Sequence, residues 1–141
     1  MMVTSVAIPV GSFKNEAAHL SIHPAGFLHL TWLPGSASGA ATRAVFEYIL
    51  HALHALGYSK VLSDQRQMVP PSNEDTAWYV LDWLPRAAEQ GYRYGALVSA
   101  NHLFARLALH SISQQAMRQS TLVYQHFDRE DVAIDWLLAQ Q

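Results

Sequence analysis

Hydrophobic and polar positions along the chain change period several times, and each change predicts a new element. In the stretch His19-Leu20-Ser21-Ile22-His23 the apolar residues alternate with polar ones, and Pro24-Ala25-Gly26 then supplies a turn. Alternation resumes in Phe27-Leu28-His29-Leu30-Thr31-Trp32-Leu33, with Leu28, Leu30 and Trp32 on one face and Phe27, His29 and Thr31 on the other. The two runs predict a β-hairpin. Residues 34–39 are small and polar and break the second strand. Over residues 40–56 the period lengthens, and Val45, Ile49, Ala52, Leu53 and Leu56 form the stripe of an amphipathic helix. Gly57 follows where a left-handed cap is needed, and residues 60–64 (Lys-Val-Leu-Ser-Asp) predict a short strand.

The helix-then-strand unit repeats. Residues 76–90 predict a second helix closed by Gly91, with Ala77, Val80, Leu81, Leu84 and Ala88 as its buried stripe. A strand is expected at 94–100, a third helix from 102 to about 113, a last strand at 121–127 and a final helix at 129–139. Asp128 is the expected cap of that final helix, and Val132, Ala133, Trp136 and Leu137 are its expected core face. Crossovers of this length make successive strands parallel. The expected class is therefore α/β: a mixed, mostly parallel five-stranded sheet with a leading β-hairpin and about four helices. Residues 19–141 read as one domain, and residues 1–18 as an N-terminal arm or an extra strand.

Several local strings resemble those of STAS and SpoIIAA-like domains, from about His19 to Leu138. They are the strand 27–33, the stretch 60–66 leading into Pro70-Pro71-Ser72-Asn73-Glu74-Asp75, Trp83-Leu84-Pro85-Arg86-Ala87 ahead of Gly91, residues 94–99, and the closing run from Tyr124 to Leu137. The resemblance implies a regulatory module without catalytic activity. In members that act as switches, a Ser or Thr in the loop after the central strand is phosphorylated. The matching loop here is 65–75, and Ser72 is the residue nearest that position, although Pro-Pro-Ser-Asn-Glu-Asp replaces the usual Asp-Ser-Gly character. The SEC14-like relatives of this fold imply an alternative, a small-molecule or lipid-binding domain with its pocket at the carboxyl ends of the strands.

Composition narrows the choice further. The chain has 141 residues, half of them hydrophobic, which suffices for one core. Its formal net charge is −2 and its nine Lys and Arg are scattered, so it carries no footprint for a phosphate backbone and nucleic acid is not an expected partner. No run reaches the ~20 apolar residues of a membrane span, and a cytoplasmic location is expected. The chain has no cysteine, which removes thiolate ligands, thiol nucleophiles and disulfides.

Candidate sites are few. Ser72, followed three residues later by Asp75, also fits a helix cap. Asp64 and Arg66 end the central strand, where open α/β sheets bind ligands, so Ser63, Asp64, Arg66, Ser99 and Asn101 form a candidate ligand crevice; the competing expectation is that Asp64 and Arg66 pair with each other. Trp78, Tyr79 and Trp83 lie partly off the expected stripe of the second helix and form a candidate partner or homodimer surface. Pro85 interrupts that helix, however, and weakens any periodicity read across it. His51 and His54 share a helix face that is expected to be solvated, so no metal is assigned to them. Glycine-rich phosphate loops and a Gly-x-Ser-x-Gly nucleophile turn are both lacking. The sequence therefore predicts a regulatory or protein-interaction module with no catalytic residues and no cofactor.

Overall fold

A computed structural model describes residues 11–35 and 38–141. Six strands form one sheet in consecutive order, β1 (Phe13–Lys14), β2 (Ala18–His23), β3 (Phe27–Trp32), β4 (Lys60–Asp64), β5 (Tyr94–Val98) and β6 (Val123–Phe127). The pairs β1–β2 and β2–β3 are antiparallel, and β3–β4, β4–β5 and β5–β6 are parallel. The expected hairpin is thus β2–β3, with Leu20 opposite Leu30. The sixth strand is β1, which falls inside the segment read as an arm or extra strand; the part of that segment at 1–10 lies outside the described residues.

Three helical crossovers join the parallel strands: α1 (Gly39–Leu56), a composite of α2 (Asn73–Trp78), a π turn (Tyr79–Trp83) and α3 (Leu84–Glu89), and then α4 (Leu103–Gln119). All three pack on one face. Val45 and Ile49 from α1, Trp83 and Leu84 from the composite helix and Ala116 from α4 share one core with Leu28, Leu30, Val61 and Leu97 of the sheet. The last helix, α5 (Glu130–Leu138), crosses to the opposite face and covers Phe27, Leu62, Ala96 and Val98 with Ala133 and Leu137. Strand alternation produces both cores, since neighbouring side chains point to opposite faces. The β3 assignment follows the expected partition of Leu28, Leu30 and Trp32 from Phe27.

Gly57 closes α1 at φ 67° and its N–H bonds back to Leu53 O, the left-handed cap expected from its position. Four details differ from expectation. The third helix runs on to Gln119 rather than ending near 113. Asp128 does not cap α5; Arg129 holds that position without a side-chain bond to the helix backbone, and Asp128 pairs with Arg106 instead. Val132 is 44% exposed, so it contributes little to the α5 core face.

The fourth is the composite helix, whose buried face differs from the expected stripe. Pro85 has no amide to donate, and its ring would crowd the carbonyl four residues back in a regular helix. The chain widens into a π turn just upstream, and Leu84 N–H bonds Tyr79 O, five residues away. The buried face of this helix is Val80, Trp83, Leu84 and Ala87. Leu81, expected in the core, is 71% exposed, and Trp83, expected partly outside, is 1% exposed.

Candidate functional site

The candidate site lies between the sheet and the three crossover helices, and opens at the carboxyl ends of β3 and β4. Its inner part is a cavity of about 80 Å³, floored by Leu30, Val61 and Leu97 of the sheet. Its outer part is a vestibule of about 290 Å³ walled by Leu33, Val69, Pro70 and Ser72. Trp32, Thr42, Met68, Pro71 and Asp75 line both, so the two spaces share a boundary. The vestibule is close to the lower end of the ~300–1,000 Å³ typical of small-molecule sites.

Aromatic rings make up much of the wall, and Phe46 is their hub. Its ring centroid lies 5.6 Å from Trp32, 5.2 Å from Tyr79 and 4.9 Å from Trp83. The π turn sets two of these rings side by side, with Tyr79 and Trp83 stacked at 5.4 Å. Their polar ends are anchored: Trp83 Nε1 donates to Phe46 O at 2.7 Å and Trp32 Nε1 donates to Ser63 Oγ at 3.1 Å. Trp78 closes the outer wall, half-buried, with the Arg43 guanidinium 5.1 Å above its ring. Trp83 is buried, on the face it shares with Val80, Leu84 and Ala87, which corrects its reading as part of a partner surface; Trp78 and Tyr79 are half-buried and line the cavity.

The inner end is closed by three tyrosines. Tyr92 Oη donates to Tyr124 Oη at 3.2 Å, and Tyr124 Oη is also hydrogen-bonded to Tyr79 Oη. Burial, the largest cause, holds all three phenols well above the ordinary tyrosine pKa; the charge of a neighbouring phenolate adds to it, and the Tyr124 hydrogen bond at Tyr92 and the Tyr79 hydrogen bond at Tyr124 offset only part of it. At neutral pH each therefore keeps its proton. Room for this cluster comes from Gly95 on β5, where a Cβ would sit 2.1 Å from the Tyr124 ring.

At the outer end the polar groups are Thr42, Gln65, Asp75 and Thr76. Gln65 Oε1 is shielded from solvent and has no hydrogen-bond partner among the described residues. Such an orphaned buried acceptor is uncommon and calls for an explanation. Asp75 is held by Arg43 Nε at 3.4 Å and is, among the described residues, the one carboxylate on the wall.

Other expected site residues fall elsewhere. Ser72 caps α2, accepting from Asp75 N at 3.0 Å, as its spacing allowed. The proposed crevice does not form as one surface, because consecutive β4 residues face opposite ways. Ser63 points to the cavity, whereas Asp64 pairs with Arg66, which donates from Nη2 at 2.7 Å and from Nε at 3.0 Å. Burial pushes the Asp64 carboxyl up, but hydrogen bonds from the Arg66 side chain and backbone, with its charge, outweigh that and hold it below the usual range. Glu130 extends this group, lying 3.6 Å from Arg66 Nη2 and 3.3 Å from His29 Nε2. Ser99 is buried and its N–H bonds Phe127 O, while Asn101 is exposed and its N–H bonds Arg66 O, one residue before the His102 cap of α4.

Ser113 and His126 come within 2.8 Å of each other on the cavity's α4 side. Ser113 Oγ also donates to His110 O at 2.7 Å, and in that arrangement it accepts from His126 Nε2. Among the described residues no group of three or more His, Asp or Glu is arranged to hold a metal ion. His51 and His54 are both exposed on α1, with His54 Nδ1 2.7 Å from Gln90 Oε1. No helix among the described residues is long and apolar enough to cross a membrane.

Comparisons of this chain with protein-family models, curated proteins and solved structures found no match.

Proposed function

We propose that this chain is a non-enzymatic ligand-binding domain whose site is the aromatic cavity opening at the carboxyl ends of β3 and β4. The observation that carries the reading is the pairing of an apolar interior with polar groups left for a guest: rings from four elements enclose the space, while the buried Gln65 Oε1 lacks a donor among the described residues. Binding sites of this kind combine a largely hydrophobic wall with a few fixed polar groups. A STAS or SpoIIAA-like regulatory role is compatible with such a site, with occupancy as the regulating event. Consecutive strand order and crossover helices on a single face support that family reading.

A phosphoswitch at Ser72 receives less support. Its hydroxyl already accepts from Asp75 N, and Glu74 and Asp75 would repel an added phosphate. A protein-docking role is favoured by a different observation, on α4. Leu103, Phe104 and Leu107 are 68%, 68% and 62% exposed within two turns of helix, a surface that the sequence reading did not single out.

Native mass spectrometry on the full chain from its own host tests these readings. A retained small-molecule mass that leaves on denaturation supports the cavity site. A bare chain, or a chain retaining only another protein, contradicts it.

A further inference from the structure

The three tyrosines at the closed end of the cavity have one proton too many. Three phenol hydroxyls in a row make two hydrogen bonds, Tyr92 to Tyr124 and that between Tyr124 and Tyr79. Each hydroxyl carries one O–H, and all three are protonated at neutral pH because burial disfavours the phenolates. Tyr92 spends its proton on Tyr124. Of the remaining two protons, one serves the Tyr124–Tyr79 bond and the other has no acceptor among the described residues. Whichever of Tyr79 and Tyr124 carries it, that ring lines the cavity. A buried donor without a partner costs ~1–3 kcal/mol, so a guest supplying an acceptor there is favoured over one that does not.

Charge narrows the guest further. Among the described residues lining the inner cavity and vestibule no Lys or Arg occurs, and the single ionisable carboxylate is Asp75 at the mouth. An anion pushed to the tyrosine end would be buried without a counter-ion, a heavy desolvation cost. A neutral oxygen suffers no such cost. The inner cavity, at about 80 Å³, is also smaller than the ~150 Å³ that accommodates benzene in a dry engineered cavity, so a guest enters with a narrow end first and leaves its bulk toward the vestibule.

Resting on the cavity reading above, we infer that the ligand is an uncharged, largely apolar molecule that points a carbonyl or hydroxyl oxygen inward to accept the unfilled O–H of the Tyr79–Tyr124–Tyr92 chain.

Calorimetric or NMR titration with three matched probes tests this on the intact chain. Acetophenone presents a carbonyl, α-methylstyrene has the same shape with a methylene in its place, and benzoate carries a charge. The expected result is acetophenone binding about tenfold more tightly than either of the others, the worth of one buried hydrogen bond. In Tyr79→Phe/Tyr92→Phe/Tyr124→Phe, which removes every hydroxyl and leaves no orphan, the preference for the ketone over the alkene should vanish while far-UV circular dichroism stays unchanged. Equal affinity for ketone and alkene in the unmodified chain, or a preference that survives in the triple variant, overturns the inference and leaves the cavity reading standing. Benzoate as the tightest probe overturns the neutral assignment. Failure of all three to bind overturns the cavity reading itself.

Discussion

The ring of Tyr124 on β6 lies against the backbone of Gly95 on β5, so close that a Cβ at residue 95 would stand 2.1 Å from Tyr124 Cε1 and 2.8 Å from Tyr92 Oη. The two residues face each other across a parallel pair, Gly95 opposite Tyr124. The absence of a side chain at this point is what lets the tyrosine cluster sit in the floor of the cavity. Gly95→Ala should therefore cost ~2–3 kcal/mol in denaturant unfolding, since neither the strand nor the hydrogen-bonded ring has room to yield. In a Tyr124→Ala background the same substitution should cost far less, and the double-mutant cycle should report a coupling of at least ~1 kcal/mol.

The tyrosine cluster also predicts alkaline behaviour. Tyr79, Tyr92 and Tyr124 have pKa values raised in the folded chain, whereas in the unfolded chain they lose protons near ~10. Above that pH the unfolded state binds fewer protons than the native state, so stability is full below about pH 10 and falls as pH rises beyond it. Tyrosinate absorbance measured alongside circular dichroism should show these three ionising only as the fold is lost.

His126 gives the opposite limb. Burial, with the adjacent His110 and the Arg106 charge, lowers its pKa to about 4. Between the ordinary ~6.5 and 4 the unfolded chain takes up a proton that the native chain refuses, so stability declines as pH falls through that window. The loss should be roughly 1–2 kcal/mol, less than the full proton-binding difference because solvent reaches part of the ring. Proton NMR of the His126 ring should give a midpoint near 4, and His126→Gln should flatten the acid limb of the stability curve.

Ser72 as a cap makes its own prediction. Ser72→Ala should destabilise the chain by ~1 kcal/mol through loss of the bond to Asp75 N, and Ser72→Asp should restore most of that, because Asp caps as well as Ser. If Ser72→Asp and Ser72→Ala are equally destabilised in thermal unfolding, the hydroxyl has a role other than capping.

What the sequence made legible was whatever has a fixed period. Strand β3 declares both faces through strict alternation, and α1 declares its core stripe and its Gly57 terminus. The composite helix was harder to read: its buried residues Val80, Trp83, Leu84 and Ala87 keep helical spacing, but the same stretch also allows a stripe through Leu81, and Pro85 weakens a choice between the two. The cavity was illegible for another reason. Its walls converge from Trp32, Phe46, Trp83 and Tyr124, which lie on four separate elements, and no local spacing encodes their meeting. Gly95, a glycine inside a strand, was the one local hint that something approaches the backbone closely there. The candidate crevice failed on the simplest geometry, because Ser63 and Asp64 are adjacent and so cannot share a face of the sheet.

The most direct test of a ligand site at the carboxyl ends of β3 and β4 uses the chain's four tryptophans. Trp32, Trp78 and Trp83 line the cavity, while Trp136, on α5, packs on Phe127 and Tyr94 at the opposite face of the sheet. In a ¹⁵N-labelled sample titrated with acetophenone, the indole N–H signals of Trp32, Trp78 and Trp83 should shift with a common saturation curve and that of Trp136 should stay in place. Four unmoved signals, or a Trp136 shift as large as the others, would contradict the account.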